Sequence, residues 1–138
     1  MYLCPKYSNV LGRCDLSVVV VADFIITHDG GIVEYRLTRP ESRNSLTFAM
    51  YQALEDLCRN PEGANVIVLT AEGDKAFASG TDISNFKDFD SAQDAIDYES
   101  MIGRVIDAVQ TAAVPVIASL HGIVLAVAPP SRQQRIFD

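Results

Sequence analysis

Residues 78–83 read Ala-Ser-Gly-Thr-Asp-Ile. A run of small residues around Gly80, between a short strand and a helix start, leaves main-chain N–H groups without partners. Small side chains at Ser79, Gly80 and Thr81 let a ligand approach that backbone closely. The chemistry on offer is hydrogen-bond donation to a developing oxyanion, a carbonyl or a phosphate. An ordinary strand-to-helix turn capped by Asp82 has the same composition, so the hexapeptide alone leaves both readings open.

Two other stretches carry residues of interest. Arg39-Pro40-Glu41-Ser42-Arg43-Asn44 is a loop, and Asn44 tolerates turn geometry there. Pro115-Val116-Ile117-Ala118-Ser119-Leu120-His121-Gly122 is a buried strand ending in a small turn. No acid pairs with His121, which favours a structural or loop histidine. His28 sits beside a hairpin turn and is expected to be solvated.

The elements that must position these residues follow from period and punctuation. Phe24–Thr27 and Ile32–Leu37 are strand-like, joined by the turn Asp29-Gly30-Gly31. In the second strand Val33, Tyr35 and Leu37 alternate against Ile32, Glu34 and Arg36. Thr47 is the expected N-cap of a helix. Met50, Ala53, Leu54, Leu57 and Cys58 form its apolar face, and Asn60-Pro61-Glu62-Gly63 stops it. Val66–Thr70 is continuously apolar, as in a strand buried on both faces. A short extended segment at Phe77-Ala78 follows the turn 71–74.

A second helix is expected from about Ala92 to Ala113, with a stripe of Tyr98, Ile102, Val105, Ile106, Val109 and Ala113. Pro115 helps to end it, and Val116-Ile117-Ala118 is the next buried strand. Strands alternating with helices predict an α/β fold built on βαβ units. Residues 1–22 have no clear period and read as a leader of unclear status. The domain is expected over 23–123, followed by an aberrant tail over 124–138.

The 138 residues suffice for one domain with a real core. Half the residues are apolar, as in an ordinary globular protein, and the net charge of −7 argues against a nucleic-acid binder. Cys4, Cys14 and Cys58 are odd in number, with no CxxC or zinc-like spacing, so unpaired thiols in a reducing compartment are expected. The apolar stretch Leu16–Ile26, interrupted by Asp23, is too short to span a bilayer, and no A-x-A site follows it. These features predict a cytoplasmic protein with no membrane or nucleic-acid partner.

In combination the motifs become specific. Leu37-Thr38-Arg39-Pro40, Asn44-Ser45-Leu46, Val66-Ile67-Val68-Leu69-Thr70-Ala71, Lys75-Ala76-Phe77-Ala78-Ser79-Gly80-Thr81-Asp82-Ile83, Pro115-Val116-Ile117-Ala118 and His121-Gly122 occur in this order. Residues from about 25 to 123 thereby resemble the N-terminal half of the enoyl-CoA hydratase/isomerase (crotonase) superfamily. The resemblance implies a crotonase-like spiral of ββα units, here truncated, usually assembled as homotrimers or hexamers. It implies acyl-CoA thioester substrates and hydration or double-bond isomerisation, with coenzyme A as part of the substrate and no metal or separate cofactor.

By position, the Thr81 N–H matches the family's first oxyanion donor. Ser79, Gly80, Asp82 and Ile83 match the stretch that lines coenzyme A, and Arg43 and Lys75 lie where basic residues meet its phosphates.

The sequence departs from the family after Gly122. The second oxyanion donor of the family lies in a glycine run, and the matching positions are about Leu125, Ala126 and Val127. The chain has no glutamate after Glu99, so neither acid/base glutamate of the hydratases carries over. Losing one oxyanion donor costs on the order of 10²–10³ in rate, and losing acid/base groups typically about 10²–10⁴. Back-translation of Val124–Pro130, read one base out, permits Ala-Gly-Gly-Gly-Ala-Ala. Residues 124–138 are therefore expected to be a frame-shifted tail, which the encoding DNA would test. Two readings follow: a family acyl-CoA enzyme, impaired in this chain, or a non-catalytic fragment with at most weak CoA binding or subunit association. The fragment is also expected to leave an uncovered sheet face or edge and to be marginally stable.

Overall fold

A computed structural model describes residues 16–61 and 63–125. Strands β1 (Ser17–Val21), β2 (Phe24–Asp29), β3 (Ile32–Leu37), β4 (Val66–Ala71) and β6 (Val116–Ala118) form one sheet, in the order β1-β2-β3-β4-β6. Two-residue turns make β1, β2 and β3 an antiparallel meander. β4 runs parallel to β3, and β6 parallel to β4. Helix α1 (Phe48–Arg59) makes the first parallel crossover and α2 (Ala92–Gln110) lies in the second. A minor pair, β5 (Ala76–Ala78) with β7 (Ile123–Val124), stands apart from the main sheet.

The period-two pattern of β3 is realised. Val33, Tyr35 and Leu37 are buried, while Glu34 and Arg36 face outward and pair with one another at 2.7 Å. Met50, Leu57 and Cys58 of α1 close on that face with Phe24 and Ile67. Phe24 stacks on Tyr35 with ring centroids 5.1 Å apart. Burying each large apolar side chain stabilises the fold by roughly 1.5–3 kcal/mol. Tyr35 donates its buried hydroxyl to the Met50 carbonyl at 2.9 Å, so its one polar atom is not orphaned.

Thr47 caps α1 as expected, its hydroxyl accepting from the Met50 N–H. Ser91 and Asp94 close a reciprocal capping box on α2. Tyr51, Ile102 and Val105 form a second cluster between the helices. Glu55, also buried, joins α1 to α2 by pairing with Arg59 at 3.0 Å and Arg104 at 3.6 Å. Cys58 is buried and free, and burial pushes its thiol pKa up. Cys4 and Cys14 lie outside the described residues. Among the described residues no helix is long and apolar enough to cross a membrane.

Four local expectations are corrected. Ser17–Val21, placed in the leader, is a strand paired with β2 from Ser17↔His28 to Val21↔Phe24. Its valines gave no period because all five residues are exposed at the sheet edge. β4 is fully buried only at Ile67: its Ile67, Leu69 and Ala71 face the core, whereas Val68 and Thr70 lie beside Glu34 and Arg36 on the other face. β6 is not buried either; it is the other edge, and Ile117 is exposed. α2 ends at Gln110, leaving Ala113 beyond it and exposed, while Ala108 supplies the buried contact. The remainder of the expected tail, from Ala126 onward, lies outside the described residues.

Candidate functional site

The stretch 78–83 emerges from β5 into a short 3-10 turn, Ile83–Phe86, rather than a helix of any length. The anion-attracting dipole expected of a helix start is therefore small here. What organises the stretch is main-chain pairing with the loop before α1. The Leu46 N–H donates to the Gly80 carbonyl at 2.8 Å, and the Asp82 N–H donates to the Leu46 carbonyl at 2.9 Å. That is one rung of a parallel ladder, Leu46 opposite Thr81. In such a rung the residue opposite turns its own N–H and C=O to the other edge. The Thr81 N–H thus faces away from Leu46, and among the described residues it has no hydrogen-bond acceptor.

Asn44 sets the loop. It is completely buried, at a positive φ of 53°. Its Oδ1 accepts from the Arg39 N–H at 3.0 Å, and its Nδ2 donates to the carbonyls of Glu72 at 2.9 Å and Ala76 at 2.8 Å. One side chain therefore ties the loop to both ends of the turn leading into β5. Arg39 makes a second tie. Its guanidinium reaches Asp82 at 2.8 Å, the Ser45 carbonyl at 2.8 Å and Asp23 at 3.4 Å. Hydrogen bonds from Ser84, then from Arg39, hold the Asp82 carboxyl at about 2. Asp82 also caps the 3-10 turn through the Ser84 N–H at 2.9 Å. The capping reading of Asp82 and the open N–H of Thr81 are both realised, because they use different atoms.

Gly80 adopts a φ of +102°, and a Cβ added there would meet no atom within 4 Å. Gly80 is also part of the lining of an apolar cavity of about 380 Å³. Leu46, Tyr51, Phe77, Ile102, Val105 and Leu125 are among its walls, with Gln110 the one amide side chain among the described residues.

The other candidate residues are dispersed. Ser79 is half-buried, and its hydroxyl makes a long contact of 3.5 Å with the Ser42 carbonyl. Ile83 is 82% exposed. Arg43 is exposed at a left-handed φ of 53°. Lys75 lines a separate cavity of about 280 Å³, in company with Glu41, Glu72 and Asp74. His121 packs edge-on against Phe77, its carbonyl accepts the Phe77 N–H at 3.0 Å, and its buried Nε2 has no partner among the described residues. Gly122 lets the chain pass over Lys75: a Cβ there would stand 2.6 Å from the Lys75 carbonyl carbon.

Sequence reasoning missed the roles of Arg39, Tyr51 and Tyr98. Arg39 reads as a loop residue and Tyr98 as one position of the α2 stripe, while Tyr51 lies outside the apolar face read for α1. The hydroxyls of both tyrosines reach Thr81 Oγ1, at 2.8 and 2.7 Å. Nothing in the spacing 51, 81, 98 announces that convergence, since it depends on how α1 and α2 cross.

Comparison with known proteins gives a consistent picture. Residues 27–127 match the family described as enoyl-CoA hydratase/isomerase. Over 110 residues the chain is 30% identical to the mitochondrial 3-hydroxyisobutyryl-CoA hydrolase of Gallus gallus, covering 75% of this chain and 28% of that protein. Over 64 residues it is 34% identical to enoyl-CoA delta isomerase 2 of Rattus norvegicus, covering 45% of this chain and 16% of that one. Among solved structures, an enoyl-CoA hydratase of Mycobacterium smegmatis superposes with a TM-score of 0.66 at 30% identity, over 74% of this chain and 41% of that one. An enoyl-CoA hydratase/carnithine racemase of Magnetospirillum magneticum gives 0.65 at 28% identity, over 75% and 40%. The described fold is thus the N-terminal part of the crotonase fold, and the chain spans well under half the length of each of these relatives.

Proposed function

Because the chain belongs to the enoyl-CoA hydratase/isomerase family, we propose that its site binds an acyl-CoA thioester and donates the Thr81 N–H to the thioester oxygen. The observation that carries this reading is the Leu46–Thr81 rung, which spends the N–H of Asp82 and the carbonyl of Gly80 but not the N–H of Thr81. A donor held in place before the ligand arrives needs no reorganisation when charge develops on the oxygen. The open side of Gly80 lets the thioester approach, and the adjoining apolar cavity suits an acyl chain. The reaction is hydration of a 2-enoyl-CoA or isomerisation of its double bond. Family-typical assembly of the whole protein is a homotrimer or a dimer of trimers.

A second reading has its own observation. The Leu125 N–H, the first of the positions matching the family's glycine run, donates to the Ala78 carbonyl at 2.9 Å. A group so committed is not free to serve as the second donor. The chain would then bind CoA thioesters without turning them over. A crotonyl-CoA hydration assay, run beside a CoA-binding titration, separates the two. Turnover supports the enzyme, binding without turnover supports the second reading, and failure of both refutes the acyl-CoA proposal.

A further inference from the structure

Thr81 carries a hydroxyl at a position whose proposed task needs only main chain. That hydroxyl lies 2.8 Å from the Tyr51 hydroxyl on α1 and 2.7 Å from the Tyr98 hydroxyl on α2. Three hydroxyls share two contacts, so Thr81 Oγ1 is gripped from both sides whichever way the protons point. Both grips are themselves fixed. Tyr51 is buried with Ile102 and Val105. The ring of Tyr98 packs against Phe86 at 4.9 Å and Phe48 at 5.8 Å.

A β-branched side chain has few χ1 states, and two hydrogen bonds to its oxygen select one of them. Fixing Cβ and Oγ1 fixes the Cα frame that carries the N–H. Leu46 holds the peptides on either side, so the residue is constrained through main chain and side chain together. Burial pushes the Tyr51 phenol pKa up, against the pull of the Thr81 bond, so Tyr51 remains an O–H group at neutral pH.

We propose that Tyr51 and Tyr98 are positioning residues that hold Thr81 by its hydroxyl and so keep its N–H aimed at the ligand oxygen. The proposal rests on the reading of the Thr81 N–H as the thioester donor. The test uses the full chain and four conservative variants: Tyr51→Phe, Tyr98→Phe, Thr81→Val and Thr81→Ser. Two readouts are taken. The first is the χ1 distribution of residue 81 in the free protein, from three-bond NMR couplings to its Cγ2 in wild type and the tyrosine variants. The second is the infrared frequency of the thioester carbonyl of bound crotonyl-CoA labelled with carbon-13.

The expected result is a single Thr81 rotamer in the wild type and averaging in the Tyr51→Phe/Tyr98→Phe double variant. The carbonyl shift to lower frequency should persist in Thr81→Ser and fall by more than half in Thr81→Val and in the double variant. A rotamer or a carbonyl shift unchanged in the double variant overturns the positioning role and leaves Thr81 N–H as donor. A wild type that binds crotonyl-CoA with no carbonyl shift, or does not bind it, overturns the donor reading and the positioning role with it. Where the double variant does not fold, each single tyrosine variant must show part of both effects, and absence of either effect in both refutes the role.

Discussion

Leu46 is hydrogen-bonded to the main chain on both sides of Thr81, through the Gly80 carbonyl at 2.8 Å and the Asp82 N–H at 2.9 Å. This single rung makes an irregular loop behave as a strand for one residue and turns the Thr81 N–H away from the partner that occupies its neighbours. Everything around it serves to keep the rung closed: Asn44 and Arg39 hold the loop, and Asp82 holds the far end of the turn.

Asn44 should be the most costly polar side chain to remove. Asn44→Ala strips two donors and an acceptor from the groups of Glu72, Ala76 and Arg39. Each buried group left unpaired costs about 1–3 kcal/mol. Asn44→Gly keeps the left-handed backbone accessible and loses only the bonds, so it should recover roughly 1 kcal/mol relative to alanine. Urea unfolding of the two variants measures both contributions.

Alanine should cost stability at both Gly122 and Gly80, but for different reasons and by different amounts. At Gly122 the new methyl meets main chain, with the Lys75 carbonyl carbon 2.6 Å away, at a φ of +58°. Neither strand can yield without breaking the β5–β7 pairing, and a loss of about 3 kcal/mol in the unfolding free energy from urea titration is expected. At Gly80 a methyl enters open space, so the cost is backbone strain of about 1–2 kcal/mol. If the thioester passes over this stretch as proposed, Gly80→Ala should also weaken acyl-CoA binding in a titration, because the methyl adds bulk in space that is open beside Thr81.

The Asp82 carboxyl gives the site an acid limit. Its pKa falls from 3.8 to about 2 on folding. The contribution to stability is therefore complete above about pH 4 and is lost as the pH falls from there through about 2. Asp82→Asn should lower stability at pH 7 and abolish this part of the acid sensitivity. Urea midpoints collected between pH 2 and 7 for both proteins give the difference, and parallel curves would contradict the assignment.

If coenzyme A phosphates lie near Arg43 and Lys75, Lys75→Ala and Arg43→Ala should each weaken CoA binding about two- to fivefold at low salt. The effect should shrink at high salt, since both side chains are exposed. Asp74→Asn, which removes a negative charge from the cavity lined by Lys75, should act in the opposite direction. Calorimetric titration with free CoA at two ionic strengths measures all three.

Much of this fold was legible in the chain. The alternation of Val33, Tyr35 and Leu37 predicted the core face of β3, and Thr47 marked the start of α1 correctly. The motif order around Asn44, Lys75–Ile83 and His121-Gly122 pointed to the right family. Burial was less legible for β4 and β6, because apolar runs report composition and not which neighbour covers each face. The edge strand Ser17–Val21 escaped for the same reason: it has no alternation to betray it.

By itself the sequence determined the residue types at the turn, including the small Ser79-Gly80-Thr81 run, and the elements on either side. Local propensity and period suffice for these, since they depend on neighbours within a few positions. Only the tertiary structure decided that the Leu46 rung leaves Thr81 N–H open and that Asn44 is buried against Ala76. It also decided that Tyr51 and Tyr98 close on one hydroxyl. Those contacts join residues 17 to 36 positions apart, and their geometry exists only once α1, α2 and β5 have packed.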